Sequence, residues 1–302
     1  MKKGIALLIT LMFIIAITVS IGVGLSYTKR AQNTLSDENF LFQSNIILND
    51  VLTLLKSSEE MKLIKDVDTL NIFLAQSSFI PFESSGISIT LEITSARSKL
   101  NLRSLLSPDK KTINLAKVNL LRAYFSKNMV NNSYVDILLD GIGGVKEDLS
   151  YNSDIFNNNE TLFRDYFVSK KHLDIYNEFY KNSFYDNSLE LVKFDKLFYY
   201  GDDNNASYSI DLNYVSRELW EMMLGVDEVR AEELALGAGS YSKDAIPELS
   251  LEETASLKNF KTSYYEAIVD VKVEIMQDKS SAKIAFEYDI AKQKGYNFSY
   301  EI

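Results

Sequence analysis

The sequence predicts an α+β fold: a long N-terminal helix, an antiparallel sheet, and a large inserted α-helical domain between the sheet's first strands and its last hairpin. Three observations carry this. A charge-free apolar run extends from Ile5 to about Tyr27, alternating strands stand at Ile87–Thr94 and again from Ala267 to Ile290, and helix-compatible spacing fills the stretch between them.

The run from Ile5 to Tyr27 supplies the roughly 20 helical residues needed to cross a bilayer. Lys2 and Lys3 precede it, and Lys29 and Arg30 close it. The leading lysines favour a cytoplasmic N-terminus, which predicts a single-pass protein of the inner membrane with its C-terminal domain in the periplasm. A secretory signal has a shorter apolar core, roughly 7–15 residues, and a small-residue cleavage site. Ala16-Ile17-Thr18 and Val19-Ser20-Ile21 fit such a site poorly. Beyond the membrane, Phe40, Ile47, Val51, Leu54 and Leu55 recur at helical spacing among Asp37, Glu38, Asn45, Asn49 and Asp50. The helix is therefore expected to run to about Lys56, about 75–80 Å from Ile5. That length suits lateral packing against similar helices, and the amphipathic half also serves as a stalk or as one face of the chain's own core.

In the first strand, Ile87, Ile89, Leu91 and Ile93 alternate with polar residues after a turn at Ser84-Ser85-Gly86. At the other end, Ala267, Val269, Val271, Val273 and Ile275 alternate, Asp278-Lys279-Ser280 turns, and Ala282, Ile284, Phe286, Tyr288 and Ile290 alternate again, as in an antiparallel hairpin. Tyr296, Phe298 and Tyr300 add a last short strand. Between these regions, Ile113–Met129, Tyr134–Leu139, Leu173–Tyr185 and Val215–Leu236 read as helical, with loops at Asn152–Asn159 and Gly201–Asn205.

Composition narrows the function. The 302 residues are 46% hydrophobic, enough for a substantial folded region. A formal charge of −10 disfavours phosphate-rich partners. Without cysteine, no disulfide staples the domain. With 18 Tyr and 17 Phe against one His and one Trp, an aromatic core is expected and histidine-based chemistry has few candidates.

Gly4, set between the lysines and the apolar run, resembles the prepilin leader of type IV filament proteins, which a membrane peptidase cuts after the glycine. The resemblance implies processing between Gly4 and Ile5, with the methylation that accompanies such leaders. Most such subunits carry glutamate at the fifth residue after the cut, where this chain has Ile9. An unpaired carboxylate in hydrocarbon is costly, so an apolar residue suits a subunit at a filament tip, where no neighbour pairs with it. An ordinary anchor helix with Ile9 facing lipid is the alternative.

Ser98-Lys99-Leu100-Asn101-Leu102-Arg103-Ser104, directly after the first strand, resembles the glycine-lysine-hydrophobic-asparagine-leucine-asparagine segment of the K-type minor pseudopilin of type II secretion systems (general secretion pathway protein K). Tyr134–Asp140 is similar to the family helix that leads into an Asp-Trp-Ile-Asp turn, and Ser209-Ile-Asp-Leu-Asn213 to a second asparagine-containing segment. Ser98 and Arg103 depart from the pattern, as does Gly141-Ile142-Gly143, where tryptophan and a second aspartate are expected. The resemblance implies a pseudopilin fold divided into a leader (1–4), a transmembrane helix (5–27), the amphipathic half of the helix with the first strands (28–106), an inserted helical domain (107–259) and C-terminal strands (260–302). It implies a subunit without enzymatic activity that helps to initiate and cap the secretion pseudopilus. Its partners would be the I- and J-type minor pseudopilins, the major pseudopilin, the prepilin peptidase and the inner-membrane assembly platform. Ile5, Leu8, Met12, Ile15 and Val19 form the candidate partner face.

Family members bind calcium through acidic loops, and calcium takes about 6–8 oxygen ligands. Asp148, Asp154, Asp202 and Asp203 are the candidate ligands here, with a solvated acidic loop as the alternative. Leu224–Leu234 resembles a helix-hairpin-helix, but Asp227 replaces its second glycine and acidic side chains surround the turn, so repulsion excludes nucleic acid. A minor pilin of a type IV pilus or competence filament shares the leader and helix. A membrane-anchored periplasmic enzyme or binding domain is the competing class. It lacks a Gly-x-Ser-x-Gly turn, a phosphate loop or a distinctive carboxylate pair, and His172 reads as an exposed helix-start residue.

Overall fold

A computed structural model describes residues 38 and 40–301, apart from 78, 85–86, 108, 110–111, 147, 149, 203–207, 246 and 278–279. Helix α1 covers 40–57. It is followed by α2 (Glu59–Leu63), α3 (Val67–Ser77), β1 (Phe79–Ser84) and β2 (Ile87–Ser95). The chain then leaves the sheet and returns as β7 (Ile268–Gln277), β8 (Ser280–Asp289) and β9 (Lys294–Glu301). The five strands form one antiparallel sheet in the order β1-β2-β7-β8-β9.

Period-2 alternation places Val269, Val271, Val273 and Ile275 on the inner face, all fully buried. Register stacks them in rows across the sheet, with Ile93 beside Val271 and Phe286, and Leu91 beside Val273 and Ile284. Phe40, Leu48 and Leu55 of α1 join this cluster with Met61, Leu70 and Leu74. Burying each such side chain contributes about 1.5–3 kcal/mol. Ser44 also lies on this face, where its hydroxyl is satisfied by donating to the Phe40 carbonyl at 2.8 Å. The outer side of α1 is mixed: Phe42, 67% exposed, Ile46 and Leu54 stand there among exposed Asn45, Asn49, Asp50 and Lys56. Leu54, expected at the core stripe, is thus outside it, and Leu48 takes its place.

Between β2 and β7 lies a helical body comprising β3 (Leu100–Asn101), α4 (Leu115–Lys127), α5 (Ser133–Ile142), α6 (Ile155–Asn158), α7 (Lys170–Phe184), α8 (Phe194–Leu197), β4 (Phe198–Tyr199), β5 (Ile210–Asp211), α9 (Arg217–Leu224), α10 (Glu228–Leu236), α11 (Leu251–Leu257) and β6 (Thr262–Ser263). Its core is aromatic, with Phe125 edge-on to Tyr134 at 5.0 Å and Tyr134 edge-on to Tyr180 at 5.2 Å. Side-chain caps start its helices: Asn114, Ser169, Ser216 and Asp227 each accept from a first-turn amide, and Ser250 with Glu253 makes a capping box. The Val215–Leu236 region is two helices, because Gly225 adopts φ +68° and closes α9 before Asp227 opens α10. The helix-hairpin-helix-like segment is this hairpin, and it buries Leu224, Ala231 and Leu234.

The structure corrects three expectations. Asn152–Asn159 is not wholly loop, since it holds the short α6. His172 is half-buried against Phe167 and Tyr176; its Nδ1 accepts from the Val168 amide, and its Nε2 lies 3.1 Å from the Phe163 carbonyl. Gly141 and Ile142 continue α5 rather than turning. The turn falls at Gly143 and Gly144, and Gly144 has φ +75°.

Gly141 marks a close helix crossing. A Cβ there would stand 2.7 Å from Tyr176 Cε1 and 2.8 Å from Phe167 Cζ, so the rings of Tyr176 and Phe167 occupy the space a side chain would need. Gly→Ala inside a helix ordinarily gains about 1 kcal/mol. Overpacking costs about 1–3 kcal/mol and should win here. Gly141→Ala is expected to lower the unfolding free energy in urea, and a gain would show that the rings move aside freely.

Candidate functional site at the junction of insert and sheet

The helical body meets the sheet where β2 ends. Arg97, two residues beyond β2, is 4% exposed, and Glu287 of β8 is 2% exposed. Arg97 Nη1 donates to Glu287 Oε2 at 2.7 Å. The other oxygen, Oε1, accepts from the Tyr199 hydroxyl and from Asn297 Nδ2, the latter at 2.8 Å. The guanidinium lies over Tyr208, 4.7 Å from the ring centroid, and the Tyr208 hydroxyl donates to the Lys99 carbonyl at 2.7 Å. One carboxylate thus gathers the end of β2, β8, β9 and the insert's β4. Gly201, at φ +144°, permits this, because a Cβ there would come within 2.7 Å of the Tyr199 hydroxyl oxygen.

Two segments singled out in the sequence build the same local device. Asn101 accepts from the Arg103 amide at 3.0 Å and opens a 3-10 turn over Leu102–Leu105. Asp211 accepts from the Asn213 amide at 3.1 Å and opens one over Leu212–Tyr214. Each follows a two-residue parallel strand, with Leu100 paired to Phe198 and Ile210 to Thr262. The second turn is a knot. Asn213 Nδ2 donates to the carbonyls of Tyr241 (2.9 Å) and Tyr264 (2.8 Å), Tyr241 N donates to Asn213 Oδ1 at 2.8 Å, and the Asp211 amide donates to the Arg97 carbonyl at 2.7 Å.

Asp140, fully buried, is saturated within its own loop. Oδ1 accepts from the backbone and side-chain nitrogens of Asn152, both at 2.9 Å, and Oδ2 from the amide and hydroxyl of Ser153, both at 2.7 Å. Of the candidate calcium ligands, Asp148 accepts from Ser150 (2.8 Å to its hydroxyl), Asp154 from Asn157 Nδ2 (2.9 Å) and Asp202 from Arg103 Nη1 (2.8 Å), while Asp203 lies outside the described residues. Arg103 also approaches Asp165 at 3.5 Å, so a guanidinium already serves as the local cation. Among the described residues no three His, Asp or Glu side chains converge to hold a metal, and the described candidates do not fit a calcium cage. Gly4, Ile5, Leu8, Ile9, Met12, Ile15 and Val19 lie outside the described residues.

Sequence reading missed Arg97 and Glu287. Glu287 occupies an outward position in the β8 alternation, which by pattern reads as solvent-facing, and its cover comes from Arg97, from Tyr199 of the insert and from Asn297 of β9. Burying an ion pair costs desolvation, and removing one partner costs about 3–5 kcal/mol because it strands the other charge. Arg97→Met is expected to destabilise by that amount, while Arg97→Met with Glu287→Met recovers most of it. A double variant no better than the single one would show that the two charges are not coupled.

Asp270, directly across from Glu287 in the β7–β8 register, has its carboxyl pushed up to about 6, chiefly by desolvation. Asp211 is likewise held at about 6, chiefly by burial. A raised carboxyl keeps its proton in the folded chain where the unfolded chain has lost it. Its stabilisation is therefore fully present below about pH 4 and is lost as the pH rises through about 6. Asp270→Asn should weaken the fall in unfolding free energy between pH 4.5 and 7, and an unchanged slope in urea titrations would assign that fall elsewhere.

No family model matches the chain, and no curated protein matches it. Among solved structures, the chain is similar to one from the crystal structure of the GspK-GspI-GspJ complex of the enterotoxigenic Escherichia coli type 2 secretion system. The TM-score is 0.56 at 12% identity, covering 90% of this chain and 98% of that one. At this identity the likeness is one of fold. The antiparallel five-stranded sheet and its helical insert give the chain a GspK-like α+β fold.

Proposed function

We propose that this protein is a minor pseudopilin of the K type that sits at the tip of a type II secretion pseudopilus, where it helps to initiate assembly and caps the filament. The observation that carries this reading is the fold likeness over 90% of the chain to a member of the GspK-GspI-GspJ complex. Partnership with I- and J-type subunits follows from that complex by analogy. The apolar run from Ile5 would anchor the chain in the inner membrane, and Ile9 would relieve the tip subunit of an unpaired carboxylate in lipid.

Helix α1 supports lateral assembly independently of the likeness. Its inner stripe is used by the chain's own sheet, yet Phe42, Ile46 and Leu54 remain exposed. Apolar residues on the outer side of a helix whose inner side is already packed suit contact with neighbouring helices. The insert would supply steric bulk against addition of a further subunit, and the buried joint at Glu287 would hold that bulk in place.

Intact-mass analysis of the full chain from cells with and without the prepilin peptidase tests the reading. Loss of Met1–Gly4 only when the peptidase is present, with co-purification of I- and J-type pseudopilins, is the expected result. An uncut leader, or a cut near Ser20, would remove the filament-subunit reading. Processing without those partners would point to a type IV pilus.

A further inference from the structure

The first Asx segment and the second meet at a cavity of about 360 Å³ that neither the junction nor the proposed assembly role uses. Leu100, Asn101 and Ser104 wall it on one side, Tyr208 and Ile210 on another, and Lys117 of α4 and Phe260 complete it. Its rim is open to solvent, since Thr112, Ile113 and Lys261 are exposed.

The polar groups in this wall are not balanced. Lys117 is only 9% exposed, and no carboxylate among the described residues pairs with it. Its Nζ donates to the Ser104 carbonyl at 3.0 Å and lies 5.6 Å from the centroid of the Phe260 ring. An ammonium has three donors, so one carbonyl and one ring face leave capacity over. Beside it, the Ser104 hydroxyl oxygen is buried without a hydrogen-bond partner among the described residues. Burial holds Lys117 below the ordinary lysine range, as expected of an ammonium that lacks a counter-charge.

We propose that this cavity binds an organic carboxylate with an apolar body: its oxygens accept from Lys117 Nζ and the Ser104 hydroxyl, and its body packs against Leu100, Ile210 and Phe260. Lys117, the one buried cation among the described residues that line the cavity, matches one carboxylate, with Lys261 left at the open rim. The volume lies at the small end of the range for ligand sites, which suits one ring or one short aliphatic chain. The carboxylate can come from a free small acid or from the C-terminus of a peptide with an apolar last residue, since both present the same group.

The test uses the full chain in detergent, with detergent alone as blank. Benzoate and a pentapeptide ending in leucine are each titrated against their neutral amides by calorimetry and saturation-transfer NMR. Saturable binding of an acid, about tenfold or more tighter than its amide, is expected. Lys117→Met, similar in length but uncharged, should weaken that binding about tenfold while leaving the circular dichroism unchanged. Should Lys117→Met fail to fold, Ser104→Ala carries the test through a several-fold loss. Tighter binding of benzoate identifies a free acid as the source, and tighter binding of the peptide a chain end. Equal affinity for acid and amide, no saturable binding of either acid, or acid binding unaffected by both variants would overturn the proposal.

Discussion

The carboxylate of Glu287 is the constraint on which the arrangement of this molecule depends. The inner face of β8 packs on α1 through apolar contacts that are individually non-directional. Its outer face would be an ordinary solvated surface if nothing covered it. Ser281 and Lys283 on that face are exposed, but at Glu287 the insert and β9 close over it, and the buried charge is tolerable only with Arg97, Tyr199 and Asn297 in place around it. Apolar surfaces can slide over one another at little cost. A carboxylate with three fixed donors cannot, so the joint defines one orientation of insert on sheet.

The same economy of directed bonds recurs where the chain enters and re-enters the insert. Asn101 and Asp211 each accept from an amide two residues on, which starts a 3-10 turn at the end of a two-residue strand. Such short strands cannot be held by ladder bonds alone. The Asx turns and the Asn213 knot satisfy backbone groups that would otherwise be buried without partners. This gives a physical reason for the residue types in both segments. A short side chain with an acceptor is needed at the turn, and either Asn or Asp supplies it.

Much of the frame was legible in the sequence. Four of the sheet's strands showed in alternation: β2, β7 and β8 because half-buried strands write their two faces into the residue pattern, and the exposed edge strand β9 through its alternating Tyr296, Phe298 and Tyr300. Strand β1 did not, since Pro81 interrupts it and, at the sheet edge, only Ile80 packs on the core while Phe79 and Phe82 are exposed. Helices α4, α5 and α7 followed their apolar spacing, whereas α6 is only four residues long and carries no period. The joint was illegible for a different reason. Alternation marks Glu287 as outward-facing, and outward is correct within the sheet. Whether outward means solvent depends on a body folded from residues far away in sequence. His172 differs, since its cover is local: Tyr176 stands one turn on in α7 and Phe167 just before the helix, so the aromatic spacing around it was the signal.

A capping role places a mechanical demand on the chain that composition alone does not meet. A subunit that blocks growth by bulk must keep that bulk over the axis of the helix that anchors it, against thermal tilting. Two chain crossings join the insert to the sheet here, and crossings alone would act as a hinge. The Glu287 cluster bridges β8 and β9 to β4 at one point, and the Asn213 knot ties the approach to β7 at another. The two meet at Arg97, whose guanidinium holds Glu287 while its carbonyl accepts from the Asp211 amide, so one residue at the end of β2 joins both sets of directed bonds. With no disulfide in the chain, these directed polar bonds add orientation to the apolar packing where the helical insert meets the antiparallel sheet.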